Sequence, residues 1–454
     1  MNPAIALAMG GGGANQMFVD DVFSAYTYDG TGTAKTITNG IDLAGKGGMV
    51  WLKDRTSANP AFILDTVRGT SSTLQPSTTG SAGAISTAVT AFNNNGFTVG
   101  TNSNVNTNAK KYVGWTFRKA AKFFDVVTWT GNSTAGRQIA HALGTTPGMI
   151  IVKGTSAGTA GFNWKVWHRS LPSSAYNLPF NTTSGQASDN GIWNSTAPTS
   201  SVFTVGADAS VNSSGETYVA YVFAHDDTAN GLIQCGSFTT DGSGNATVTL
   251  GWEPQFAILK LQSGFGNWVV VDAMRGMNQK TGGGSNGPYV TANTSNTETA
   301  TGNNLSPTAT GFQANGLTPS VSYVYMAIRR SNKPPTTGTQ VFKAITRTGT
   351  DAAASVTGVG FAPDMAIIAL RNSVPGYQGF VVDKLRGTPS AGNVLQTSTA
   401  NGETGLGTVT SLDIDGISFT NDIGGYGING TGITTVNYFF KRAVGVFDVV
   451  CYKG

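Results

Sequence analysis

Charge is scarce in this chain: only 11% of its 454 residues are Asp, Glu, Lys or Arg, and the formal net charge is +4. So small and scattered an excess does not form the basic stripe that nucleic acid requires, and no nucleic-acid partner is expected. The densest basic cluster, Lys110, Lys111, Arg118, Lys119 and Lys122, is expected to be a solvated junction. Cysteine is nearly absent too. Cys235 and Cys451 stand far apart, which suggests neither a disulfide framework nor a metal site. The three histidines, His141, His168 and His225, show no metal-ligand spacing, and no cofactor is expected. No run approaches the ~20 apolar residues of a membrane span. The start, Met1 to Gly13, lacks the basic segment of a signal peptide, and Gly10 to Gly13 precede no helix; residues 1–18 are therefore expected to form a flexible or partner-bound arm.

What is present is glycine, 61 residues of it, together with 39% hydrophobic and 10% aromatic residues. That mixture excludes a disordered chain and fits short strands joined by many polar turns. The length exceeds the roughly 250 to 300 residues at which one hydrophobic core stops growing, so several modules are expected.

Self-similarity supplies them. An apolar strand recurs as Met49-Val50-Trp51-Leu52-Lys53, Met149-Ile150-Ile151-Val152-Lys153, Phe256-Ala257-Ile258-Leu259-Lys260 and Met365-Ala366-Ile367-Ile368. The interval of roughly 100 residues is the size of a small β-sandwich. In the last three copies a proline stands two places earlier, at Pro147, Pro254 and Pro363. A later alternating strand recurs at Tyr112 to Arg118, Tyr218 to His225, Tyr323 to Arg329 and Val436 to Lys441. An opening strand, clearest as Phe124-Asp125-Val126-Val127-Thr128-Trp129, appears five times, the last at Phe447 to Tyr452.

The expected fold is all-β, with four tandem β-sandwich modules at residues 19–118, 123–226, 232–330 and 340–441. Residues 445–454 are left as a surplus strand that completes the fourth sandwich or pairs with another subunit. The polar stretches within each module, such as Gln279 to Thr310, are the expected contact loops.

One charged constellation repeats: Asp65-x-x-Arg68-Gly69, Asp272-x-x-Arg275-Gly276 and Asp383-x-x-Arg386-Gly387. Recurrence in three modules points to structural salt bridges at strand ends, because catalytic sites are rarely copied into every tandem unit. Module two breaks the pattern with Trp164-Lys165-Val166-Trp167-His168-Arg169. Its tryptophans, Trp164, Trp167 and Trp193, are the positions where glycan or partner contact is expected, against the plainer reading that they are core.

Three segments of module two carry a family resemblance: Phe124-Asp125-Val126-Val127-Thr128-Trp129-Thr130-Gly131-Asn132, Ile139-Ala140-His141-x-Leu143-Gly144-x-x-Pro147-x-Met149-Ile150-Ile151-Val152-Lys153, and Ile192-Trp193-Asn194-Ser195-Thr196-Ala197-Pro198-Thr199-Ser200-Ser201-Val202-Phe203. The chain resembles uncharacterised repeated β-domains of tailed-phage virion proteins. The resemblance implies a virion location, sandwiches of jelly-roll or lectin-like kind, and no catalytic residues. The expected function is then a non-enzymatic tail fibre or adhesin component that forms homo-oligomers and contacts the host surface, with host-surface glycan as a candidate partner. Other virion proteins would be met through the N-terminal arm or the C-terminal strand. A capsid decoration or collar protein is the alternative. A glycan depolymerase is the third, and would need two carboxylates roughly 5 to 10 Å apart in a groove.

Overall fold

A computed structural model describes residues 16–277, 287–300, 302, 304–372, 378–387, 394–400, 402, 403, 405, 407–422 and 427–450. Most of the expected N-terminal arm, and Cys451 to Gly454 of the surplus strand, lie outside them. The chain is all-β; among the described residues every pairing between named strands is antiparallel and the α-helices are single turns of four residues. No helix among the described residues is long and apolar enough to cross a membrane.

One strand order recurs four times. In repeat 1 the opening strand Phe23–Asp29 pairs with the closing strand Lys111–Arg118, which pairs with the central strand Gly48–Asp54, followed by Phe62–Asp65. Repeat 2 uses Phe124–Thr130, Thr217–Ala224, Pro147–Gly154 and Lys165–His168 in the same order. Repeat 3 uses Ile233–Thr239, Ser322–Arg329, Pro254–Leu261 and Val269–Asp272. Repeat 4 uses Phe342–Thr348, Thr434–Phe440, Met365–Leu370 and Phe380–Asp383. A second sheet of two or three strands accompanies each, giving the sandwich its other layer. The recurrent proline has a visible effect: the ladder slips between Pro147 and Met149 and between Pro254 and Phe256, since proline has no N–H to give it.

Within each sandwich one face of the large sheet meets the small sheet. In repeat 1 this core holds Tyr28, Val50, Leu52, Phe62, Leu64, Phe97 and Tyr112. The opposite face, with Phe23, Ala25, Met49, Trp51, Trp115 and Phe117, should then meet water, yet it is equally buried. The central strands of repeats 1 and 2 are buried at every residue. A sheet buried on both faces needs a second partner, and here that partner is another repeat.

The chain accordingly divides into two compact units rather than four. One comprises residues 18–272 and 288–330, that is, repeats 1 to 3; the other comprises residues 1–17, 273–287 and 331–454, which include repeat 4. The first three repeats therefore close on one another instead of stacking end to end as an arm. In the second unit the sandwich is complete with its own opening strand, Phe342–Thr348. Of the surplus segment, Phe447 makes an isolated bridge to Ala443 and packs on Phe440 at 5.2 Å between ring centroids.

Because the three outer faces cover one another, repeats 1 to 3 are expected to lose structure together. Hydrogen exchange of the central-strand amides Val50, Ile150 and Ala257 across a denaturant series checks this. All three should share one opening transition, whereas separate transitions would mean independent sandwiches.

Candidate functional site

The three seams between repeats 1, 2 and 3 share one register, and they close in a circle. On each, a loop amide donates to the carbonyl two residues past the central-strand lysine of the next repeat. These bonds are Ala82 to Thr155 at 3.0 Å, Gln186 to Gln262 at 2.7 Å and Glu298 to Arg55 at 3.0 Å. Three residues before each donor, a carbonyl accepts from that lysine's Nζ: Thr79 from Lys153 at 2.8 Å, Thr183 from Lys260 at 2.6 Å and Ser295 from Lys53 at 3.2 Å. The relation runs from repeat 1 to 2, from 2 to 3 and from 3 back to 1, which is a pseudo-threefold ring built from one chain.

The lysines illustrate what the ring demands. Lys53, Lys153 and Lys260 sit at a strand position facing the neighbouring repeat and are buried. Each is tied to carbonyls of its own repeat as well, at Asn59, Phe162 and Gly266. Burial lowers all three ammonium groups from the ordinary lysine value to about 8, with the Asp54 carboxylate opposing the shift at Lys53.

The Asp-x-x-Arg-Gly motif lies on the same seams. Asp65 is buried and accepts from the backbone amides of Val67 and Arg68 and, at 2.7 Å, from Arg68 Nε. Its Oδ2 also accepts from the Tyr221 hydroxyl of repeat 2 at 3.0 Å, and Arg68 Nη2 donates to that same hydroxyl at 2.9 Å. Burial pushes the Tyr221 phenol well above its ordinary value. Asp272 of repeat 3 accepts from Trp115 Nε1 of repeat 1 at 2.9 Å, and Arg275 is buried nearby in sequence. Asp383 accepts from Arg386 Nε in repeat 4.

The break in repeat 2 has a structural reason. Strand pairing makes Trp115, Tyr221 and Met326 equivalent positions. Asp65 and Asp272 face the two that can donate, Tyr221 and Trp115. The third seam offers Met326, which has nothing to give a carboxylate. There His168 replaces the aspartate, and its Nε2 bonds the Tyr325 carbonyl at 3.0 Å. Its Nδ1 accepts from the Ser170 amide at 3.2 Å, so the proton sits on Nε2. Burial depresses this imidazole to about 4.

Apolar contacts fill the middle. Phe117 of repeat 1 lies 5.5 Å from Phe223 and 5.6 Å from Phe124 of repeat 2, and 6.0 Å from Phe256 of repeat 3. The three tryptophans marked as possible contact positions are buried, with 0% (Trp164), 6% (Trp167) and 1% (Trp193) of their surface exposed. Trp164 Nε1 donates to the Thr78 carbonyl of repeat 1, and Trp167 Nε1 to Ser174 Oγ. No sugar ring has access to them here. An open depression of about 540 Å3 runs along the seam of repeats 1 and 2 and is lined by Arg68, Ser72, Thr128, Trp129, Thr155 and Tyr218 among others. Sequence reading missed the lysines and this cleft. The uninterrupted apolar character of the central strands, ending each time in Lys, was the available signal for the former.

Two predictions test the seams. Asp65→Asn leaves a buried guanidinium without its counter-charge and should destabilise the first unit by about 3 to 5 kcal/mol in urea unfolding. Tyr221→Phe should cost roughly 2 kcal/mol, and the double variant should fall short of the sum because the two groups share one hydrogen bond. For His168, a folded value near 4 lies below the ordinary 6.5, so its contribution is full above pH 6.5 and is lost as pH falls toward 4. His168→Gln should therefore flatten the pH dependence of the melting temperature in that window, and an unchanged slope would exclude the histidine as its source.

No curated protein matches the chain. A family model does, described as a domain of unknown function (DUF7483), over residues 19–331 and again over 337–448. The first stretch spans the three ring-forming repeats without interruption and the second spans the fourth, so the chain belongs to the DUF7483 family.

Proposed function

We propose that this protein is a non-enzymatic structural component of a phage virion, a tail fibre or adhesin part in which the three-repeat ring is a rigid platform for polar loops. The observation that carries the non-enzymatic part is the fate of the repeated Asp–Arg pair. Asp65 is buried and Arg68 half-buried; the carboxylate accepts from two backbone amides, the Arg68 guanidinium and the Tyr221 hydroxyl, and the guanidinium donates to Asp65, Ser72 and Tyr221, so the pair holds two repeats together. A carboxylate used in this way is closed to substrate. The virion placement rests on the resemblance of Phe124 to Asn132, Ile139 to Lys153 and Ile192 to Phe203 to repeated domains of tailed-phage particles. Glycan contact, if it belongs to this protein, falls to the exposed loops and to the cleft beside Arg68 and Trp129 rather than to Trp164, Trp167 or Trp193.

Immunogold electron microscopy of intact particles with an antibody to this chain tests the reading. Labels on the tail tip or fibres are expected. Labels spread over the head would replace the fibre reading by a decoration protein, and unlabelled particles would remove the virion assignment. Release of reducing sugar from host polysaccharide by the purified chain, abolished by Asp65→Asn with the fold intact, would overturn the non-enzymatic reading.

A further inference from the structure

Repeat 4 carries the same outer face as its three siblings, and within the described residues of the chain that face is only partly covered, Phe447 packing on Phe440 at one end of it. The opening strands show it best. Ala25, Val126 and Cys235 are equivalent positions, and only 7%, 2% and 1% of their surface is exposed. Their counterpart Ala344 is exposed. Phe23, Phe124 and Ile233 are buried, whereas Phe342 is 43% exposed. In the central strand, Met365, Ile367 and Ala369 are half-buried while Ala366 and Ile368 between them are fully buried in the sandwich core. In the closing strand, Tyr438 and Phe440 are half-buried and Phe439 is fully buried. The outer face thus keeps the apolar residues of a seam without a seam.

We infer that this face is completed by two further copies of the chain, so that three fourth repeats form a ring of the same kind as repeats 1 to 3. The first ring states the geometry the face is made for. Each repeat contributes its strand-end Asp or His to the closing strand of the next, a head-to-tail contact that closes at three. A twofold dimer would need a self-complementary patch, which these contacts are not. Repeat 4 holds both halves of the contact. Asp383 stands where Asp65 and Asp272 stand, and Tyr438, with a donor hydroxyl, stands where Tyr221 and Trp115 stand. Its Arg386 donates Nη2 to the Val381 carbonyl of its own repeat at 3.2 Å and has a buried Nη1 that meets no hydrogen-bond partner among the described residues, whereas Arg68 spends Nη1 on Ser72 of its own repeat and Nη2 on the next repeat's tyrosine. In the trimer Asp383 of each copy accepts from Tyr438 of the next. One element differs: Ala369 occupies the position of Lys53, Lys153 and Lys260, so the lysine-to-carbonyl lock is missing along with the burial of three ammonium groups. This inference does not depend on the virion reading.

Sedimentation equilibrium of the full chain over a concentration series tests it. A species of three times the monomer mass is expected, dissociating on dilution. Ala344→Arg and Phe342→Lys change exposed side chains, so each should keep the far-ultraviolet circular dichroism of the parent and sediment as monomer, while Ala344→Ser stays trimeric. Tyr438→Phe removes one hydrogen bond to a charged group from each of the three interfaces and should weaken assembly by about tenfold per interface, roughly a thousandfold in the overall monomer–trimer constant. A parent chain that remains monomeric or stops at a dimer would overturn the inference. So would a trimer that survives both Ala344→Arg and Phe342→Lys, because its interface would lie elsewhere, and an unchanged dissociation constant for Tyr438→Phe would overturn the Asp383–Tyr438 pairing.

Discussion

The structure depends on one constraint: in repeats 1 to 3 the large sheet is apolar on both faces, and a single sandwich can cover only one. Met49, Trp51, Trp115 and Phe117 point away from their own core and are nevertheless buried. Water cannot be their neighbour without losing the transfer free energy of several large side chains, roughly 1.5 to 3 kcal/mol each. Three such faces turned toward one another remove the problem for all, since a closed ring leaves no first or last face. The rest follows from the closure. Polar groups at the strand ends come to lie under a neighbour, and each must find its bonds there.

That requirement explains why the seams are more than greasy contacts. A buried ammonium or carboxylate without partners costs several kcal/mol. Lys153 meets two carbonyls, one from its own repeat and one from repeat 1, and Asp65 meets two amides, a guanidinium and a phenol. These bonds are directional, whereas apolar faces slide. The charged groups therefore fix the register that hydrophobic burial alone leaves loose. Linking the three repeats in one chain raises their effective concentration and makes the association part of folding.

Much of this was legible in the sequence. The apolar strand ending in Lys, the opening strand and the alternating closing strand give the repeat and its all-β character, because their period and composition are local properties. The tryptophans of repeat 2 marked the limit of that reading. Trp164 and Trp167 are three residues apart, and whether a face meets water or another repeat is decided by residues far away in sequence, such as Thr78, 86 positions from Trp164. The Asp–Arg pairs were visible from a three-residue spacing, but Tyr221, which completes the first of them, is 156 residues from Asp65. The outer faces could have been suspected from central strands that do not alternate. The identity of their cover could not, since any apolar partner satisfies the same pattern.

The exception at His168 shows how the ring also fixes the order of its members. The receiving positions are Trp115, Tyr221 and Met326, two donors and one residue with none. Were repeat 1 to place Asp65 against repeat 3, its carboxylate would face Met326 and lose a bond in a buried site. Were repeat 2 to turn toward repeat 1, His168 Nε2 would meet the indole N–H of Trp115, a donor against a donor. Only one circular order matches every acceptor to a donor, and it is the order of the sequence. A wrong order is thus excluded by unpaired buried groups rather than by shape, which is how near-identical units joined in tandem can be kept from exchanging places.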